Sequence, residues 1–282
     1  KYYIKYFQEE TAANLFFEKM QSYSAKKVAK NFISYKEIKG LPLSTNTTKN
    51  LLKEFLDYQD KKLPKVEACS KFKEALSTMY FYKTQERVRP YKGHKLDRIR
   101  YINGVEMRPI DDMLIDLDWD MIYDAADPSI FHGDLQPENI LWHKKNLPSS
   151  INNIAEDDSD FEFHLIDWRT KGFANLNYGD KNYDLAKLLH GLRIVGRSML
   201  CGRYVVKTSE DEGHIYFEDN HKDIRAFYEG WLEEQGKLEV VRIIEALHFL
   251  NIADIYTELY PNYATFIFLL GKLQLTKHGK YT

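Results

Sequence analysis

His132-Gly133-Asp134-Leu135-Gln136-Pro137-Glu138-Asn139 is followed, beyond an apolar stretch and a polar insertion, by Leu165-Ile166-Asp167-Trp168. Three of these residues have the types and spacing that phosphoryl transfer from ATP requires. The γ-phosphoryl group passes through a transition state whose charge spreads over its equatorial oxygens, so catalysis is mostly positioning and charge neutralisation. Two parts are needed: a carboxylate that orients or accepts the proton of the attacking hydroxyl, and oxygen ligands that hold Mg²⁺ against the phosphates. Asp134 suits the first role. In the D-x-x-x-x-N spacing, Asp and Asn leave one short loop toward the same cleft, so Asn139 can offer its carbonyl oxygen to a metal. Asp167 supplies the metal carboxylate. Each element alone is ordinary, since Pro-Glu-Asn segments form turns and an Asp often ends a strand. Their joint order carries the reading.

The elements that must position these groups can be read around them. Ile140-Leu141-Trp142 and Phe161 to Ile166 read as two strands of a hairpin, which returns Asp167 to the loop bearing Asp134 and Asn139. Lys144 to Asp160 reads as a polar, mobile insertion in that hairpin. HGDLQPENIL at His132 to Leu141, with LIDW at Leu165 to Trp168, resembles the aminoglycoside phosphotransferase and choline kinase family, closest to members associated with capsule or surface polysaccharide synthesis. The resemblance implies an α+β, bilobal protein-kinase-like fold. It places a small, partial N-lobe at 1–43, with lysine strand, helix and hinge, and a large, mainly helical C-lobe at 44–282. The stretch from Tyr178 to Gly191 looks like the helix that follows in that family. By the same resemblance Asp184 buttresses the catalytic loop, and His132 braces it by packing and hydrogen bonding.

Lys1 to Phe7 alternates like a strand, and Thr11 to Gln21 has helical character. In a kinase-like lobe the strand carrying the ATP-binding lysine runs directly into a helix, which makes Lys5 the phosphate-binding candidate. Its carboxylate partner is expected on that helix, with Glu10 preferred over Glu18. The glycine-containing strand pair expected ahead of the lysine strand is not in the sequence as given. Either the chain is a fragment, or the nucleotide site works without that cover. Asn31 to Leu43 is an extended segment ending at Gly and Pro, and it resembles the hinge, where the backbone of Lys36, Glu37 and Ile38 would bond the adenine edge. Thr48 to Leu63 and Val66 to Arg87 read as helices, with Asn46 or Thr47 as N-cap. Seven aspartates between Asp111 and Asp127 interleave with Met113, Leu114, Leu117, Met121 and Ile122 at helical spacing, which favours a solvated helix face. Later helices are expected at Asp184 to Arg197, Lys222 to Gln235, Leu238 to Tyr260 and Tyr263 to Gln274.

Composition narrows the function class. The 282 residues are 44% hydrophobic with a formal net charge of -2, which gives no electrostatic footprint for nucleic acid. Cys69 and Cys201 lie far apart without metal-type spacing, so a reducing, cytoplasmic setting is expected. The apolar run Ala264 to Leu270 is far shorter than the ~20 residues of a membrane helix. The short segment after Asp167 favours a small-molecule kinase over a regulated protein kinase. The expected activity is transfer of the γ-phosphate of ATP, with Mg²⁺, to a hydroxyl of a small acceptor such as a sugar or an amino alcohol like choline. The alternative is a catalytically weak nucleotide-binding scaffold that regulates a fused or partner enzyme. Trp231, Tyr228, Tyr256, Tyr260 and Tyr263 could stack on an acceptor or cage an amine, though aromatics at helical spacing are more often core. Arg169 and Arg193 could bind an anionic acceptor or form ion pairs.

Overall fold

An alternating strand and an amphipathic helix open the chain, and they set the first layer. The computed structural model describes residues 2–144, 161–170, 172–194, 196 and 201–281. Strands β1 (Tyr2–Tyr6), β2 (Lys26–Ala29) and β3 (Phe32–Lys36) form an antiparallel sheet in the order β1-β3-β2. Helix α1 (Glu10–Lys19) joins β1 to β2. Ala13, Phe16 and Met20, spaced three and four apart, make one buried face on it, and the Phe16 ring meets Tyr35 of β3 at 5.8 Å.

Next come β4 (Leu41–Pro42) and α2 (Lys49–Lys62), whose first turn is capped by the Thr48 hydroxyl accepting from Leu51 N at 3.2 Å. Thr48 is thus the cap, one or two residues after the positions expected. Helices α3 (Phe72–Ser77) and α4 (Lys83–Val88) are joined through a π turn at Thr78–Tyr82. This helical stretch begins later than Val66, because Pro64 breaks the chain and the segment after it pairs instead. Val66 N donates to Pro128 O at 3.0 Å, and Lys65 bridges to Ser129.

The short strands β5 (Tyr101–Ile102) and β6 (Val105–Glu106) precede α5 (Ile110–Asp116) and α6 (Trp119–Asp124). The aspartate-rich stretch is therefore two helices. Leu117 turns extended between them, and Asp118 caps α6 by accepting from Met121 N at 3.0 Å. Met113, Leu114, Leu117 and Ile122 are buried, while Asp112, Asp120 and Asp124 are exposed. Asp127 departs from that face: it is buried and ion-paired to Lys65 and Lys237.

β7 (Pro128–Ser129) leads into the candidate catalytic loop, and β8 (Ile140–Lys144) with β9 (Phe161–Leu165) forms the expected hairpin, Ile140 opposite Leu165. The insertion read as mobile lies, from 145 to 160, outside the described residues. Then follow β10 (Gly179–Asp180), α7 (Lys181–Arg193), β11 (Tyr204–Thr208), β12 (Glu212–Phe217), α8 (Lys222–Glu234), α9 (Leu238–Ala253) and α10 (Pro261–His278). Beyond Ala253 the chain tightens into a 3₁₀ turn at Asp254–Tyr256 instead of continuing as α-helix to Tyr260. α9 and α10 pack closely where Gly271 faces Leu250: a Cβ there would lie 2.9 Å from Leu250 Cγ and 3.0 Å from its backbone N. The described residues are 50% helical and 19% strand in small sheets, which is compatible with an α+β fold. No helix among the described residues is long and apolar enough to cross a membrane.

Candidate active site

Glycine at 133 lets the loop between β7 and β8 turn hard against the segment that follows β9. Its φ is +84°, and a Cβ would stand 2.6 Å from Arg169 Cβ and 2.9 Å from the Phe131 ring. The loop is then held from below by α7. Asp184 accepts from the backbone N–H groups of His132 at 2.6 Å and Gly133 at 2.8 Å. Burial pushes its carboxyl up to about 7, against the pull of those two hydrogen bonds. His132 braces the same loop from inside. Its Nδ1 accepts from Asp134 N at 3.2 Å, so the proton sits on Nε2, which donates to Ile166 O at 2.7 Å. Burial holds this imidazole down to about 4, and its ring packs on Trp168 at 4.7 Å.

Asp134 is buried beneath three donors. Gln136 Nε2 reaches Oδ1 at 2.7 Å, Arg169 reaches Oδ2 at 2.6 Å, and the Lys187 ammonium lies 3.3 Å from Oδ1. Burial disfavours the charge, but Lys187, Gln136 and Arg169 outweigh it and hold the carboxyl well below the usual range. Asn139 ends a 3₁₀ turn at Pro137–Asn139. Its Nδ2 donates to Asp134 O at 2.8 Å and its backbone carbonyl accepts from Ile166 N at 3.0 Å. That orientation leaves Oδ1 without a hydrogen bond from any described residue. Arg169 N donates to His132 O at 2.9 Å, so both ends of the Ile166–Arg169 segment are stitched to the loop.

Asp167, between those stitches, adopts a left-handed φ of +56°, which Asp tolerates better than most residues. Its carboxylate pairs with the Lys5 ammonium from β1, which lies 4.7 Å from the Phe16 ring centre. Lys5 is thus brought to the trio, but the expected helix partner is not. Glu10 pairs with Lys30 at 3.2 Å instead, because Glu10 is on the solvent-exposed side of α1, toward the β2–β3 connection. Glu18 is also exposed. The inward polar residues of α1 are Asn14 and Lys19. Lys19 donates to Arg169 O at 3.0 Å and Phe131 O at 3.4 Å, and burial lowers its ammonium to about 8. Lys36 closes the ladder opposite Tyr2, Glu37 accepts from Tyr3 OH at 3.5 Å, and Ile38 is half-buried on the way to β4.

Oxygen donors from Asn139 and Asp167 are hard ligands of the kind Mg²⁺ takes, and the unengaged Asn139 Oδ1 fits that role. A separate group on the β8–β9 hairpin, His143, Glu162 and His164, offers two imidazoles and a carboxylate, a set suited to softer metals than Mg²⁺. Asp134 opens on a cleft of about 390 Å³ lined by Met79, Lys83, Arg87, Arg169, Lys187 and Asn251, among others. None of Tyr228, Trp231, Tyr256, Tyr260 and Tyr263 lines it: Tyr228 is buried, bonded to Leu185 O and stacked on Trp231, and Tyr263 packs against Tyr204 and Phe266. Arg193 is an ion-pair residue, with Nε and Nη2 on the Glu245 carboxylate at 2.7 and 2.9 Å. Residues that sequence reasoning missed are Gln136, Lys187, Lys19 and Lys83. Lys187 had a signal, since it follows Asp184 by three and so shares its helix face. No protein-family model, curated protein or solved structure matches the chain.

Proposed function

We propose that the protein is an ATP- and Mg²⁺-dependent phosphotransferase acting on a hydroxyl of a small metabolite, built as a two-lobed, protein-kinase-like molecule. The observation that carries this reading is the stitched cluster. Asp134, Asn139 and Asp167 are drawn together by backbone and amide hydrogen bonds, Asp134 faces a cleft, and a lysine from the opening strand meets Asp167. The sheet β1-β3-β2 with α1 supplies the small lobe, residues 1–43, and the helical body the large one, residues 44–282.

In this reading Lys5 binds the α and β phosphates, and the backbone of Lys36–Ile38 meets the adenine edge. Asn139 and Asp167 would hold Mg²⁺, which supplies neutralisation of phosphate charge when bound. Asp134 orients the acceptor hydroxyl. The hydroxyl oxygen forms a bond to the γ-phosphorus, the bond from that phosphorus to the β–γ bridging oxygen breaks, and ADP departs with the electron pair. The hydroxyl proton passes to Asp134. A carboxylate held this acidic is a weak base, so its work is mainly orientation, which suffices for a loose transition state.

The test is turnover with MgATP and a panel of sugars, sugar derivatives and amino alcohols, compared with Asp134→Asn. The variant should lose roughly 10²- to 10⁴-fold in turnover while still binding ATP. Asp167→Ala should abolish Mg²⁺-dependent nucleotide binding, and unchanged binding removes Asp167 from the metal site. One observation favours the second reading, a catalytically weak nucleotide-binding scaffold: no α1 carboxylate pairs with Lys5, and Glu10 is spent on Lys30. ATP binding without transfer to any acceptor, together with a response in a partner enzyme, would establish it.

A further inference from the structure

The cleft in front of Asp134 has a charge pattern that selects among acceptors. Among the described residues its lining holds a single carboxylate, Asp134, and four cationic side chains, Lys83, Arg87, Arg169 and Lys187. Two of these, Arg169 and Lys187, are committed to Asp134. Arg87 is shared with Asp254 at 3.6 Å. Lys83 has no such partner: its ammonium donates to the Met79 sulfur at 3.8 Å and sits 5.7 Å from the Tyr183 ring centre. No carboxylate lies within ion-pair distance of it among the described residues.

Asn251 lines the same space and is 8% exposed, with its Oδ1 enclosed and without a hydrogen-bond partner among the described residues. The walls between are Tyr183, Ile252 and Ile255, and His248 is held neutral by burial. A space of about 390 Å³ is at the small end of ligand sites and matches a monosaccharide-sized molecule.

We propose that the acceptor is a small polyol carrying an anionic group, a phosphate monoester or a carboxylate, bound by Lys83 and Arg87 with the reacting hydroxyl at Asp134. This rests on the phosphotransfer reading and narrows it. A quaternary ammonium such as choline would enter a cleft whose cations outnumber its one carboxylate, with none of the later aromatic candidates there to cage it. An anionic polyol meets the Lys83 ammonium, which has no carboxylate partner among the described residues, and the Asp134 carboxylate at once.

Binding measured by calorimetry without nucleotide tests the anion site independently of catalysis. The probes are inorganic phosphate, glucose 6-phosphate, ribose 5-phosphate, gluconate, glucose and choline. At least one phosphorylated or carboxylated polyol should bind, tighter than glucose by roughly ten- to a hundredfold, the span of a charge-assisted hydrogen bond. Lys83→Met should remove that advantage, Lys83→Arg should keep it, and unchanged thermal unfolding of both confirms intact folding. The phosphate and carboxylate probes decide which anion is preferred. Binding of choline or glucose as tight as the best anion, an anion advantage that survives Lys83→Met, or no binding by any probe overturns the proposal. ADP release with MgATP separates the two readings. Lys83-dependent anion binding without phosphotransfer sinks the kinase reading alone, and transfer to glucose or choline in preference to the anions sinks the acceptor assignment alone.

Discussion

Asp134 is a carboxylate crowded by positive charge, and this decides which residues around it can be felt by a substrate. Arg169 and Lys187 neutralise it, so the net field of the cleft comes from Lys83 and Arg87. Burial, then the like charges of Lys187, Arg87 and Arg169, lower the Lys83 ammonium to about 8, with Asp134 opposing and neutral His248 alongside. Lys83 is therefore charged below that pH and loses its proton above it. On the proposed acceptor, kcat/KM for an anionic polyol should fall as pH rises past about 8, because that ratio reports the free enzyme. In Lys83→Arg the fall should vanish, since guanidinium stays protonated. An unchanged fall in that variant removes Lys83 as its cause. At this scale Asp134, Asn139 and Asp167 were legible because their relation is local, a short loop and one hairpin. Lys83, Lys187 and Lys19 were not, because a lysine in a helix reads as solvated until tertiary packing encloses it.

The element that organises the site is α7, which is buried along its length from Lys181 to Leu192 despite its polar composition. Such a helix survives only if its polar groups find partners. Asp180 caps it by accepting from Asn182 N at 3.0 Å, Lys181 pairs with Asp60 at 2.6 Å, Asn182 Nδ2 donates to Ala125 O at 2.8 Å, and Asp184 and Lys187 serve the loop. Gly191 lets Pro137 of the loop approach, since a Cβ would stand 2.3 Å from Pro137 Cδ. Among the described residues, Asn182 Oδ1 and both ring nitrogens of His190 are buried without partners, and the His190 ring packs on Phe249 at 4.4 Å. Burial holds this imidazole well below the ordinary 6.5, with Lys187 adding to the effect. The sign follows from linkage. The unfolded chain takes up a proton below 6.5 and the folded chain does not, so stability is retained above that pH and lost as pH falls below it. As pH falls from 7.5 to 5 this group therefore adds to the loss of stability. His190→Leu should shrink that loss in urea unfolding, and an equal loss in both proteins would show that His190 is protonated in the fold. The sequence signalled this helix but started it at Asp184, because the Asp180 cap was hidden among other acidic and turn-forming residues.

Across the whole molecule, distant segments are joined by contacts that no local pattern announces. β12 pairs in parallel with β5, more than a hundred residues earlier, and Lys272 of α10 bonds Asp97 O at 2.6 Å. The opening strand could be read from alternation and the hairpin from two short apolar strands flanking the polar insertion, whereas these pairings depend on chain paths that spacing does not encode. The link between the first sheet and the helical body is likewise remote: Lys19 reaches the Phe131 and Arg169 carbonyls, and Lys5 reaches Asp167. That last pair gives the molecule a lock. The cation proposed for the phosphates is the counterion of the carboxylate proposed for the metal, so a metal arriving alone competes with Lys5 for Asp167. A nucleotide offers Lys5 its phosphates instead. Metal and nucleotide should therefore bind with positive, reciprocal cooperativity. In calorimetry Mg²⁺ should bind roughly tenfold more tightly in the presence of a non-hydrolysable ATP analogue. In Lys5→Met it should bind more tightly by itself and gain less from the analogue. Equal Mg²⁺ affinity with and without analogue in the unaltered protein would leave Lys5 as an ordinary surface ion pair, and an order of loading would not be written into the fold.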